Sequence, residues 1–391
     1  MRVTRIGLVV GFALAACGTD SINDGADLSG AATKHPPDHK PPVGATGQEI
    51  FRFDTFGDEQ LWTDKLRMHE VIASAVSPTI ALSVGLKVDA DALPPGILAT
   101  ADLNDPKTTV ALIGLDAVVG VMGKVDGSGK LHEVGITCAL CHSTVDDSVA
   151  PGIGHRLDGW ANRDLDPGAI IALSPALTDA QRAVYSSWGP GYYDARYNID
   201  GINDPAVIPP AYGLAGVAAE TYTGDGPVSY WNNYVAVTQM GGHGNFSDPR
   251  IGINIVQTPD LVTPKLPALR DYQLSIPKPP IPESFNVASA ARGKAVFEAN
   301  CSRCHEGAIY TDVARTLHAA AETGMDPLYA TRSATKLYRT TPLRALWQHP
   351  PYFHDGSAKT LEDVVDHYAR VLGLRLADCD KSDLVAFLKT I

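Results

Sequence analysis

Apolar positions recur at helical spacing along much of this chain. Trp62, Leu66, His69, Ala73 and Val76 fall at i, i+4, i+7, i+11 and i+14, which predicts one helix with a single apolar face and His69 packed on it. The stretch "SAARGKAVFEANC" predicts a helix from Ser289 running up to Cys301, and Ser382 to Leu388 predicts a closing helix. Alternation of apolar and polar residues is nowhere long enough for a substantial sheet, so the expected fold class is mainly α, interrupted by many Gly and Pro. Two apolar runs are too short to span a bilayer: Ile6 to Ala16, and Ala111 to Gly123, which Asp116 interrupts.

Composition divides the chain. Arg2 and Arg5 precede the first apolar run, which has the form of a signal peptide over residues 1–16. It ends in Leu14-Ala15-Ala16-Cys17, which resembles the lipobox of bacterial lipoproteins and makes Cys17 the candidate lipidation site; ordinary secretion after an A-x-A-like site is the alternative. Residues 17–47 are rich in Gly, Pro, Asp, Ser and Thr and read as a flexible tether, in which His35 and His39 are solvated. Pro277, Pro279, Pro280 and Pro282, within Gln273 to Phe285, predict a stiff linker between an N-terminal domain, 48–275, and a C-terminal domain, 276–391. The formal net charge is −12, which argues against nucleic acid and suits a small basic redox protein as electron donor or acceptor.

The chemistry lies in "CALCH", Cys138 to His142, and "CSRCH", Cys301 to His305. Six Cys and twelve His in 391 residues give only about 0.003 chance matches to C-x-x-C-H. Two thiols three positions apart can add to the two vinyl groups of a haem, and the next His is then delivered to the iron. The expected cofactors are therefore two covalent c-type haems, one on Cys138 and Cys141 with His142 as iron ligand, the other on Cys301 and Cys304 with His305. A thioredoxin-like pair or half a zinc site would leave both His without a task. Covalent haem attachment takes place outside the bacterial cytoplasm, so the expected location is the cell envelope, as a periplasm-facing or outer-membrane lipoprotein held to the membrane by its lipid anchor only. Of the six cysteines, Cys379 alone is left over, and it is expected to be a buried thiol.

The stretch "RTTPLRALWQHPPYFHDGSAKTLEDVVDHY", Arg339 to Tyr368, resembles the bacterial di-haem cytochrome c peroxidase and MauG-type superfamily. The stretches around Ile50 to Glu70 and Cys138 to Trp160 look like a branch apart from the standard peroxidase. "WGPG", Trp188 to Gly191, followed by Asp194, is also similar to the di-haem rubber oxygenases. The resemblance implies two cytochrome c-like domains with divided labour: an N-terminal haem that reacts with peroxide or oxygen, and a C-terminal haem that passes or stores electrons. It places the sixth ligand of the C-terminal iron fourteen residues beyond His354, at Tyr368, where the standard peroxidases have Met and MauG has Tyr; Met325 is the alternative. His155, in Gly154-His155, corresponds to a switchable cap on the N-terminal iron, a distal acid–base or a propionate partner. Asn232, Asn233, Gln239 and His243 are distal candidates, with His243 preferred as acid–base. Trp160, Trp188 and Trp231 are candidates for an aromatic relay between the haems. The resemblance also implies a calcium ion between the domains, held by Asn162 and the carbonyls of His349 and Pro351. The implied function is a peroxide-dependent oxidoreductase acting on hydrogen peroxide. A plain di-haem electron carrier, and oxygenase cleavage of an apolar substrate, stand as alternatives.

Overall fold

The structure, a computed structural model, describes residues 44–282 and 284–391. The signal peptide, Cys17 and nearly all of the tether, with His35 and His39, lie outside the described residues. The fold is mainly helical, and its β-structure amounts to five separate two-stranded pairs among the described residues. No helix among them is long and apolar enough to cross a membrane.

The N-terminal half holds two cores. One gathers Trp62, Met68, Ile113, Val118, Leu140 and Leu165; the other gathers Phe51, Phe56, Trp231, Tyr234, Phe246 and Leu269. The single helix expected through Trp62 and Val76 is instead two pieces, a π-helical turn Gln60–Lys65 and an α-helix Met68–Ala75. The break falls at Arg67, which adopts φ 55°, a left-handed conformation that an uninterrupted helix excludes. Met68 consequently enters the core, while His69 is only half-buried. The apolar run from Ala111 also divides, between the helix Pro106–Gly114 and the strand Val121–Val125, which pairs with Leu131–Ile136.

Helix Leu266–Ser275 ends just before Pro277, and the next helix begins at Val287. Asn286 then caps the helix Val287–Asn300 by accepting from Ser289 N–H, as the apolar pattern predicts to within two residues. This helix crosses the closing helix Asp378–Leu388 so closely that a Cβ at Gly293 would overlap the Asp383 carbonyl. Phe297, Leu361, Val365, Leu384 and Phe387 form the core of this half. Between the halves, buried Arg332 donates to Asp194, itself fully buried, and to Asp200. Losing one partner of such a buried pair costs about 3–5 kcal/mol, so this pair fixes the two halves against each other.

Candidate functional site

Each C-x-x-C-H forms the same local turn. The His142 N–H donates to the Cys138 carbonyl at 3.2 Å, and the His305 N–H to the Cys301 carbonyl at 3.0 Å. A single turn therefore presents both thiols and the imidazole from one short segment. The first turn, Ala139–His142, starts where Thr137 Oγ1 accepts from Ala139 N–H; the second begins at Cys301, the C-terminal cap of the helix Val287–Asn300.

The two imidazoles are oriented in the same way. His142 Nδ1 lies 3.0 Å from the Pro209 carbonyl, and His305 Nδ1 lies 3.0 Å from the Tyr310 carbonyl. A carbonyl only accepts, so Nδ1 carries the proton in each ring and Nε2 keeps its lone pair for a metal. Burial lowers the His142 pKa to about 4 and lowers that of His305 as well, which holds both rings in the neutral, ligating form. Burial raises the thiols of Cys138 and Cys141 to about 12 and that of Cys301 to about 11.

In front of the second turn lies a cavity of about 310 Å³, lined by Cys301, Cys304, His305 and, from the other wall, by Tyr368 and Met325. The helix Leu361–Val371 supplies Tyr368, whose phenol burial pushes up to about 12, so that it is a neutral O–H unless a cation faces it. Both expected sixth-ligand candidates therefore reach this cavity. His354, four per cent exposed, also lines it and bonds through Nε2 to the Tyr338 hydroxyl at 3.2 Å. The cavity is not the property of the C-terminal half alone: Arg163, Pro209, Tyr212 and Tyr222 form part of its wall. Because the Pro209 carbonyl also holds His142, one hydrogen bond links the first motif to the wall of the second site.

At the first motif, Cys141 packs against one N-terminal core and Cys138 against the other. His155 is not brought to His142. Its hairpin strand, Arg156–Asp158, pairs with Ser143–Val145, which sets His155 beside Asp146 at the far end. The parallel pairing of Asp89 with Gly154 brings Asp91 within 2.9 Å of His155 Nδ1, and the side chain is 58% exposed. This geometry does not bring His155 to the first iron site as an iron cap or distal group; the ring sits at the surface against the Asp91 carboxylate. His243 is half-buried; its Nδ1 is 3.4 Å from Gln60 Oε1, and its Nε2 is buried without a partner. Its backbone accepts from Leu261 and donates to Phe56, a member of the core that holds Cys138. Among the other distal candidates, Asn232 donates to Gln273, and Gln239 accepts from the Tyr193 hydroxyl.

Of the three candidate tryptophans, Trp160 adjoins the first motif. It follows Gly159, whose N–H donates to the His142 carbonyl, and it meets Tyr212 and Trp347 edge-on at 6.3 and 6.2 Å. Trp188 is packed among Tyr185, Tyr193 and Tyr197, and Trp231 lies under the Arg196 guanidinium. Cys379 is exposed rather than buried, on the first turn of the closing helix. Of the expected calcium ligands, one carbonyl is already engaged. Asn162 Oδ1 is buried without a partner, but the His349 carbonyl accepts from Arg163 Nη2 at 3.1 Å, and no carboxylate is among the set. A guanidinium that already occupies the His349 carbonyl would repel a divalent cation on the same oxygen.

No family model matches the chain. Over 128 residues, 28% of the chain, it is 33% identical to the methylamine utilization protein MauG of Methylorubrum extorquens. Over 124 residues, 26% of the chain, it is 29% identical to MauG of Methylophilus methylotrophus. Over these stretches the chain is similar to the MauG proteins. It spans 36% of the length of each of these relatives. The superfamily that Arg339 to Tyr368 resembles is therefore also the one found by comparison. Two solved structures are similar over 48% of the chain: a MauG-like protein associated with microbial copper homeostasis, TM-score 0.35 and 19% identity, and a Kuenenia stuttgartiensis hydrazine synthase, TM-score 0.33 and 18% identity, with 74% and 73% of those chains covered.

Proposed function

We propose that this MauG relative is an exported di-haem c-type cytochrome that acts as a peroxide-dependent oxidoreductase. The observation that carries the reading is the paired arrangement of His142 and His305: same turn, Nδ1 on a main-chain carbonyl, Nε2 left for iron. Cys138 with Cys141, and Cys301 with Cys304, would hold the two groups. Haem iron in such sites exchanges single electrons and, where its sixth position is open, reacts with peroxide.

The residues divide the work. Tyr368, on the wall of the second site, would serve as the sixth ligand of a haem held there, where a phenolate would stabilise ferric iron. The buried guanidinium of Arg163 and the Arg339 Nε, which also lacks a partner, supply positive charge for the carboxylates that a haem brings. His243, with a free ring nitrogen beside the core of the first site, is the group to move a proton between peroxide oxygens. Trp160, Tyr212 and Trp347 bridge the two sites. A small redox protein would deliver the electrons.

Anaerobic turnover with hydrogen peroxide tests this directly: a reduced small cytochrome should be oxidised only when peroxide is added. Oxygen consumption with an apolar substrate and no peroxide response would favour an oxygenase. No response to either would leave an electron carrier. For the envelope lipoprotein, Cys17→Ser should release the protein from membranes or block its processing; correct cleavage with continued membrane attachment would refute the anchor.

A further inference from the structure

Arg163 is the least satisfied charge at the border of the two halves. It follows Asn162, whose backbone N–H donates to the Cys141 carbonyl at 2.9 Å, so it is fixed directly behind the first motif. Its side chain leaves that half and donates from Nη2 to the His349 carbonyl of the other. It lines the cavity in front of Cys304 and His305. Its Nε and Nη1 are buried and bond to nothing, and among the described residues it makes no ion pair. Arg339, also in the wall, has Glu220 as its counter-charge; Arg163 has none.

A buried guanidinium with two free N–H groups is strongly unfavourable until an anion accepts from them. Guanidinium geometry suits a carboxylate, which can take two parallel N–H bonds. We propose that Arg163, a residue of the N-terminal half, binds a propionate carboxylate of the haem seated in the C-terminal cavity. It thereby serves as a fixed cation in place of the calcium ion that the resemblance implies. This rests on the di-haem reading above. One side chain then ties together the first motif, the His349 loop and the second cofactor. Because its charge opposes the extra positive charge of ferric iron, it also raises the potential of that haem.

The test uses the holoprotein. Intact mass of the denatured wild type first counts covalent haems; a haem-free wild type defeats the di-haem reading itself. With haems present, reductive titrations of wild type, Arg163→Met and Arg163→Lys are compared. One of the two potentials should shift downward in Arg163→Met, and less far in Arg163→Lys, which keeps the charge but not the fork of donors. Arg163→Lys carries the test if Arg163→Met does not accumulate. Wild type dialysed against a chelator should hold no stoichiometric calcium and keep its spectrum and both potentials, and added phosphate should move neither potential. Potentials that stay put in the variants would overturn the proposal. So would a chelator-sensitive spectrum, which means a divalent cation, or a phosphate response, which means a site open to solvent anions.

Discussion

The two C-x-x-C-H turns are alike in themselves and differ in what holds them. At His305 the Nδ1 acceptor is the carbonyl of Tyr310, five residues away, and Phe297 from the preceding helix packs 6.2 Å from the ring. At His142 the acceptor is Pro209, sixty-seven residues away, in the wall of the other site. The C-terminal site is therefore built mostly from its own sequence neighbourhood. The N-terminal site exists only once its whole half has folded, with Cys138 and Cys141 packed into separate cores. The same motif can thus be a local device at one place and a tertiary one at another.

Removing the thiols should expose this difference most strongly. Cys301→Ala with Cys304→Ala is expected to lose one haem by mass and leave the N-terminal half folded. Cys138→Ala with Cys141→Ala is expected to lose one haem and also to lower stability further, because both side chains leave gaps in packed cores. Thermal unfolding followed by circular dichroism checks it, and equal losses in the two pairs would break the comparison.

Tyr368→Phe sharpens the C-terminal side. It removes only the hydroxyl, so packing against Phe353 should survive while the iron loses its sixth ligand. One haem should move toward high spin in its absorption and paramagnetic resonance spectra, with a raised potential. Tyr368→Met should restore a low-spin signal. An unchanged spectrum in Tyr368→Phe would make Met325, on the same cavity wall, the ligand to examine.

The smallest effect is expected at Asp58, beside Cys138. It is fully buried, accepts from Ile136 N–H, and has its pKa raised well above the usual carboxylate range, mainly by burial. The folded state therefore keeps a proton that the unfolded chain gives up, so stability is greatest at low pH and falls as pH rises through the folded value. Asp58→Asn keeps an acceptor without the charge. Its melting temperature should exceed the wild type's at neutral pH, and the difference should vanish below about pH 4, the unfolded carboxylate pKa. A constant difference at all pH would mean that the charge plays no part.

What the sequence made legible follows the same division. The helix into Cys301 and the mainly helical fold class depend on local pattern, and the structure has both. The run through Trp62 and Val76 was periodic enough for one helix, but periodicity carries no sign of the left-handed Arg67 that divides it. His155 was placed by spacing alone, and a hairpin that carries it away from His142 is a matter of strand register. Cys379 lacked a partner, which says nothing about burial. Little in the local pattern marks Arg163, the Pro209 carbonyl or Trp347, because each acquires its place only when the two halves meet. A charged residue within "GWANRDLDPG", between an apolar run and a turn, was the one available hint for Arg163.

The central claim is that both motifs carry covalent haem, and the mass of the denatured, acid-acetone-extracted protein tests it most directly. A single species at the polypeptide mass plus two haems is expected. Recovery of the polypeptide without haem would contradict it.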